Sequence, residues 1–289
     1  MIYGIPNFKL DKSIVERRTE WLSESGVNFH VNTEIGKDLS FQNLEKNYDA
    51  ILVATGVYKA RSLDIDTSNI NNSLPALDFL IESNKVGLGD TPSSNKYLNA
   101  KDKHIVVIGG GDTAMDCVRT AIRQKAKQVT CLYRRNKENM PGSAREVLNA
   151  EQEGVKFNWL SVPSKIISSN SEASSLSYKV ATLGEADESG RRKPVDTGVE
   201  KQIKSDLIIQ ALGFEPENLN SNFNTDLELT SWNTIKVDYK RFQTSNPKVF
   251  AAGDIVRGAS LVVWAIHDGR EVAKSIHEYL KTNQIKKAS

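Results

Sequence analysis

Ile105-Val106-Val107-Ile108-Gly109-Gly110-Gly111-Asp112-Thr113-Ala114 is the stretch whose reading decides the fold. An apolar run that passes at once into G-x-G-x-x-A, and then into residues of helical period, is a strand, a glycine turn and a helix opening a βαβ unit. The strand is expected over residues 104–108, the helix over 112–125 and a second strand over 129–133. Gly109 permits the tight turn, Gly111 lets backbone approach a pyrophosphate, and Ala114 lets the helix pack close to the strand. The residues between them, Gly110, Asp112 and Thr113, complete the turn and the first helical turn, whose N–H groups and positive dipole end face that pyrophosphate. A purely structural turn is the competing reading, and the βαβ context favours binding.

The end of the second strand selects the dinucleotide, because a carboxylate there takes a ribose 2′-hydroxyl whereas arginine accommodates a 2′-phosphate. The chain has Tyr133-Arg134-Arg135 at that point and no Asp or Glu. Two guanidinium groups suit a phosphate, so Arg134 and Arg135 favour NADP(H) over NAD(H), against the alternative of a solvated arginine pair. Cys117 and Cys131 fall in the helix and second strand of the same unit and read as small buried thiols.

Outward from this unit, strand-like runs alternate with amphipathic stretches, the pattern of an α/β fold with parallel sheets and crossover helices. Residues 28–35 and 49–55 read as strands, the second containing the continuous apolar run Ala50 to Ala54 of a buried parallel strand. Residues 11–25 read as a surface helix capped by Asp11. The turn-forming stretch 90–99 leads into the nucleotide domain. Beyond it come a helix over 143–153, a strand over 155–160, a hairpin or meander over 177–183 and 200–203 around a polar loop at 185–197, and a buried strand at 207–209. Residues 168–175 (SSNSEASS) read as a solvated loop. A strand over 248–252, a glycine-rich turn and a long helix over 261–280 close the chain.

The 289 residues, 26% charged and 39% apolar, fit about two domains with ordinary cores. The 38 Lys and Arg against 36 Asp and Glu leave a net charge of +2, no footprint for nucleic acid or an anionic membrane. The longest apolar stretches, such as Leu261 to Ile266, fall far short of the roughly 20 residues of a spanning helix, and no basic-then-apolar leader opens the sequence. A cytosolic, cytoplasmic location is therefore expected. Two cysteines are too few for an iron–sulfur cluster held by this chain alone, so redox chemistry here needs organic cofactors.

Near the end, Ala252-Gly253-Asp254 follows a strand and Gly258-Ala259-Ser260-Leu261 opens the last helix. Together with Ala54-Thr55-Gly56 and the central fingerprint, they resemble the flavoprotein architecture in which an NAD(P) domain is inserted into an FAD domain. Residues 1–12 (MIYGIPNFKLDK), Gly109 to Cys117, Tyr133-Arg134-Arg135, Asn139-Met140-Pro141-Gly142-Ser143 and Ala265-Ile266-His267-Asp268-Gly269-Arg270 narrow this. The chain resembles, over essentially its whole length, the small (beta) chain of NADPH-dependent glutamate synthase.

That resemblance implies hydride transfer from NADPH to FAD, with electrons passing through iron–sulfur centres to a large subunit that makes glutamate from glutamine and 2-oxoglutarate. It implies that Asp254 accepts hydrogen bonds from the FAD ribitol and that Gly253 lets backbone approach the flavin diphosphate. Ser260 and Leu261 would aim N–H groups at the pyrimidine edge of the flavin. Thr55 and Gly56 belong to the same half-site, although a turn is also ordinary chemistry for them, as a turn and helix cap is for Gly253-Asp254. His104 and His267 receive no role.

The sequence departs from that family in lacking cysteine-rich segments and a second G-x-G-x-x-G ahead of Met1. An incomplete FAD-binding domain is therefore expected, over residues 1–91 and 214–289, around an NADP(H)-binding Rossmann-like domain over 92–213. The missing N-terminal portion would hold the rest of the FAD site and the iron–sulfur clusters, and its loss would leave an exposed strand edge. Related electron-transfer subunits with pyrimidine, sulfide or ferredoxin acceptors, and a non-catalytic NADP(H)-binding fragment, are the alternatives.

Overall fold

In the computed structural model, which describes residues 1–186 and 192–288, the chain forms two compact units. Met1–Val27 with Ser62–Gly213 make the first, and Asn28–Arg61 with Phe214–Ser289 the second. The first unit is built on a five-stranded parallel sheet in the spatial order Ser73–Pro75, Leu207–Gln210, His104–Ile108, Gln128–Leu132, Lys156–Asn158. Its central strand is the apolar run quoted above, and alternation of side chains sends its residues to opposite faces. Ile105 and Val107 pack with Phe79, Leu80, Met115, Val118 and Val147, from the helices Ala76–Gly87, Asp112–Arg123 and Ala144–Gln152. Val106 and Ile108 pack with Ile166, Leu176 and Tyr178. These belong to a three-stranded antiparallel sheet, Ser161–Ser169, Glu172–Ala186 and Arg192–Lys204, which covers the second face where crossover helices would otherwise lie. Burial on both faces is why the central strand has no polar alternation.

Three sequence expectations change here. Residues 168–175 are not a loop: Asn170 and Ser171, at φ 52° and 61°, form a two-residue turn between paired strands, with Ala173 and Leu176 buried beyond it. The expected polar loop shrinks as well, since residues 192–197 lie in the strand Arg192–Lys204, while residues 187–191 are outside the described residues. Residues 28–35 are not a strand. Val27, Phe29 and Val31 alternate as one but are 43%, 49% and 75% exposed, and an alternating pattern without a hydrogen-bonded neighbour does not hold an extended chain.

The division also differs from the expected 1–91, 92–213 and 214–289. Residues 62–91 join the first unit because Ser73–Pro75 pairs with Leu207–Gln210. Asn72, 2% exposed, fixes that pairing by donating to the carbonyls of Ala173 and Asp206 and accepting from the Ala173 N–H. The first residues join through charge. Lys9 bridges Asp116 and Glu146 at 2.5 Å each, and the Phe8 ring lies 3.8 Å from the Arg123 guanidinium carbon. Helix Lys12–Glu24 follows, capped by the Asp11 carboxylate as expected.

In the second unit Ile51–Val53 pairs in parallel with Val249–Ala251. Phe41, Val53, Phe223, Ile235 and Ile255 make its core on one side, and Phe250 packs with Val272 of the closing helix Val262–Ala288 on the other. Among the described residues Ile51–Val53 has Val249–Ala251 as its strand neighbour, and Leu52 is 41% exposed. Among the described residues no helix is long and apolar enough to cross a membrane.

An ion cluster ties helix Asp112–Arg123 to the end of helix Ala144–Gln152. Arg119 and Arg123 both grip the Glu153 carboxylate, at 2.6 to 3.0 Å. Burial alone would push this carboxyl up, but the hydrogen bonds from Arg123 and Arg119 outweigh it and bring it down to about 2. A folded-state value below the unfolded one stabilises above pH 4.5, and the gain disappears as pH falls toward 2. Glu153→Gln is therefore expected to cost on the order of 2 kcal/mol at pH 7 and almost nothing near pH 2, as measured by urea unfolding at both values.

Candidate cofactor sites

In the first unit the three glycines of the fingerprint do different work. Gly109 has φ 143°, and a Cβ there would lie 2.1 Å from the Ala211 carbonyl oxygen. A Cβ on Gly110 would enter the Tyr133 ring at 2.4 Å. A Cβ on Gly111 would meet nothing within 4 Å. Two glycines are thus required by the protein's own packing, and the third faces open space. Ala114 is fully buried, as its close-packing role demands, with Thr113 and Asp112 half-buried before it.

Helix Asp112–Arg123 begins at Gly111 with no side chain capping it, so its first N–H groups and positive dipole end are available to an anion. The segment after the second strand folds back over this turn. Gly142 N–H donates to the Gly110 carbonyl at 2.9 Å, Ser143 N–H donates to the Asp112 carboxylate at 2.9 Å, and Tyr133 Oη donates to the Asn139 carbonyl at 2.9 Å. Arg134 is exposed and Arg135 half-buried just beyond the strand Gln128–Leu132. The Arg135 Nε is buried and has no hydrogen-bond partner among the described residues. A buried guanidinium donor left over in this way suits an incoming phosphate.

Cys117 and Cys131 are buried, with burial pushing the first thiol well up and the second to about 12. Neither is a reactive thiolate at neutral pH.

In the second unit the parallel register Val53↔Ala251 places the ends of both strands side by side. The Ala252 N–H donates to the Val53 carbonyl at 3.2 Å, and Thr55 and Gly56 follow one strand as Gly253 and Asp254 follow the other. Gly56 and Gly253 sit at φ 70° and 76°, a region that only glycine occupies freely. Asp254 opens the one-turn helix Asp254–Arg257 and is half-buried. Burial pushes its carboxyl above the ordinary range, Ser260 N–H donates to it and opposes that shift, and the charge of Asp268 adds to it. Ser260 and Leu261 are exposed where the closing helix starts, and Leu261, Val263 and Ile266 are 57–59% exposed.

Ala211-Leu212-Gly213 carries no role in the sequence analysis, and Gly142 enters there only as part of the resemblance. The first repeats, after the strand Leu207–Gln210, the pattern of Ala54-Thr55-Gly56, and Gly213 is again at positive φ, 87°. That repeated strand-end glycine was a signal available in the sequence. The docking of Gly142 on Gly110 was not, because it joins residues from two separate loops.

A single chain with one glycine-fingerprint unit and a second, flavin-type strand-end turn defines a class of two-nucleotide oxidoreductases. A family model for the pyridine nucleotide-disulphide oxidoreductases matches residues 37–269, and the chain belongs to that family. Within it, the chain is 53% identical to the glutamate synthase [NADPH] small chain of Azospirillum brasilense, over 97% of this chain and 59% of the relative. It is 51% identical to the putative glutamate synthase [NADPH] small chain of Cereibacter sphaeroides, over 97% of this chain and 68% of the relative. The chain thus spans about three-fifths to two-thirds of their length. Among solved structures it is similar in fold to Mycobacterium tuberculosis FprA in complex with NADPH, with TM-score 0.78 and 16% identity over 99% of this chain and 76% of that one. The expected fold class, the α/β fold of the two-dinucleotide-binding flavoproteins, is the observed one.

Gly109→Ala and Gly111→Ala should separate structure from binding. The first is expected to lose about 2 kcal/mol or more of stability in urea unfolding, from positive φ and the clash with Ala211. The second should melt like wild type yet bind NADPH about tenfold or more weakly in a calorimetric titration.

Proposed function

We propose that this chain carries the NADPH-to-FAD step of a glutamate synthase small chain. The observation that carries the reading is the uncapped helix N-terminus and open face at Gly111, joined, just past the next strand, by the buried Nε of Arg135, which has no hydrogen-bond partner among the described residues. These fit a dinucleotide with a further phosphate, and the similarity to the small chains supports the choice of acceptor. When bound, NADPH supplies a hydride and FAD accepts it.

The residues of the chain bind and orient. Gly111 and the first turn of helix Asp112–Arg123 hold the pyrophosphate, and Arg134 with Arg135 holds the 2′-phosphate. Gly253 gives the flavin diphosphate access to backbone, Asp254 accepts from the ribitol hydroxyls, and the Ser260–Leu261 turn aims N–H groups at the flavin's pyrimidine edge. Thr55 and Gly56 line the same half-site. Hydride transfer between two rings needs no protein acid or base, so neither histidine nor thiol takes part.

In this reading the remainder of the FAD site and the iron–sulfur clusters lie in a further, N-terminal portion. The partner is the large subunit, and the reaction is cytoplasmic.

Alanine at both Arg134 and Arg135 is expected to weaken NADPH binding by at least about 1.5 kcal/mol while NADH binding stays within about twofold. Equal losses for the two nucleotides would remove the 2′-phosphate role. With FAD added, the chain should show a flavin absorption band that bleaches when NADPH is added without oxygen. A band that persists would end the hydride-transfer reading.

A further inference from the structure

A carboxylate taken wholly out of water is costly unless its charge is paired and its lone pairs are filled. Asp268, within the closing helix, is fully buried. Arg257 meets it in a two-pronged pair, Nε to Oδ2 at 2.6 Å and Nη2 to Oδ1 at 2.7 Å. Arg257 holds that carboxyl below the ordinary range, with burial opposing and the backbone N–H of Gly253 adding to the lowering. The guanidinium lies 5.0 Å from the centre of the Trp264 ring, one turn before Asp268 on the same helix.

The two donors are the two ends of one element. Gly253 precedes, and Arg257 ends, the helix Asp254–Arg257. A helix of four residues has too few internal hydrogen bonds to offset the ordering of its own backbone. Its bonds are Val256 N–H and Arg257 N–H to the Gly253 carbonyl and Gly258 N–H to that of Asp254. Its entry at Gly253, φ 76° and ψ −150°, is one that no other residue type would hold readily. Outside the element, Ile235 N–H donates to the Ile255 carbonyl at 2.9 Å and Ile255 and Val256 are buried in the core, which holds its middle, while the contacts that reach its two ends converge on Asp268.

We infer that Asp268 is the positioning residue for Asp254: by gripping Gly253 N–H and the Arg257 side chain it holds the one-turn helix, and so the acid at its head, in the geometry that receives the flavin ribitol. The flavin part of this inference rests on the function proposed above, whereas the clamp itself does not. Asp268 acts on the site through the turn. Its charge also bears directly on Asp254, and Arg257 balances it from the other side.

Asp268→Asn keeps the shape, removes the charge and leaves Arg257 without a counter-ion. In the full chain without ligand, amide hydrogen exchange at residues 253–258 should speed up at least tenfold while residues 104–108 exchange as before. Unchanged exchange at 253–258, or an equal rise at both places, would overturn the clamp.

With FAD, read by quenching of flavin fluorescence, Asp268→Asn should bind at least tenfold more weakly, and NADPH affinity should not move. Arg257→Gln should lose as much, the double variant no more than either single one, and Arg257→Lys should recover part of the loss. Additive losses, or no recovery by lysine, would mean that the pair does not act as a unit on the turn and would overturn the positioning role. If wild type itself takes up no FAD, the flavin reading of this chain falls while the exchange measurement still decides the clamp.

Discussion

The crossing of Gly109 beneath the Ala211 carbonyl is the contact on which the nucleotide unit depends. Two adjacent parallel strands, His104–Ile108 and Leu207–Gln210, end at the same level, and the chain must turn away from the first without colliding with the second. With 2.1 Å between a hypothetical Cβ and that oxygen, only glycine allows it. Every later feature of the site follows from that turn. It sets where helix Asp112–Arg123 starts, it leaves Gly111 facing open space, and it gives Gly142 a carbonyl on which to dock. The turn lies at the carboxyl end of the central strand, the end of such sheets that takes ligands.

The remaining parts of this unit hold that helix in place. Lys9, Arg119 and Arg123 meet Asp116, Glu146 and Glu153 along one side of it, so residues far apart in sequence converge on the element that begins at the glycine turn. Burial raises the Asp116 carboxyl, and the Lys9 ammonium works against that rise. On the other sheet face the antiparallel strands replace a layer of helices and pack Ile166, Leu176 and Tyr178 against Val106 and Ile108. The second unit is organised differently. A two-stranded parallel pair is too small to carry a nucleotide site by itself, and its turn relies on side chains of the closing helix, Asp268 above all.

Much of the fold was legible in the residues. The fingerprint named its own strand, turn and helix, because the glycine spacing and the apolar run are local demands of one βαβ unit. His104–Ile108 begins and ends where expected, helix Lys12–Glu24 carries the Asp11 cap, and Gly253 occupies the backbone region that makes its identity necessary. Residues 28–35 failed as a strand and residues 168–175 as a loop for the same reason. Alternation and polarity describe one segment, whereas strand pairing is a property of two.

What the sequence determined by itself was the class of site: a dinucleotide turn, arginines in place of a carboxylate at the strand end, and a glycine-acid step near the tail. These depend on the conformations and charges of a few adjacent residues. Only the tertiary structure decided which glycine is free for a ligand and which two serve packing, since Ala211 and Tyr133 come from other strands. It alone assigned residues 62–91 to the nucleotide unit through pairing with Leu207–Gln210. It alone brought Asp268 onto the Gly253–Arg257 turn, because a buried charge finds its partner across space and leaves no periodic trace along the chain.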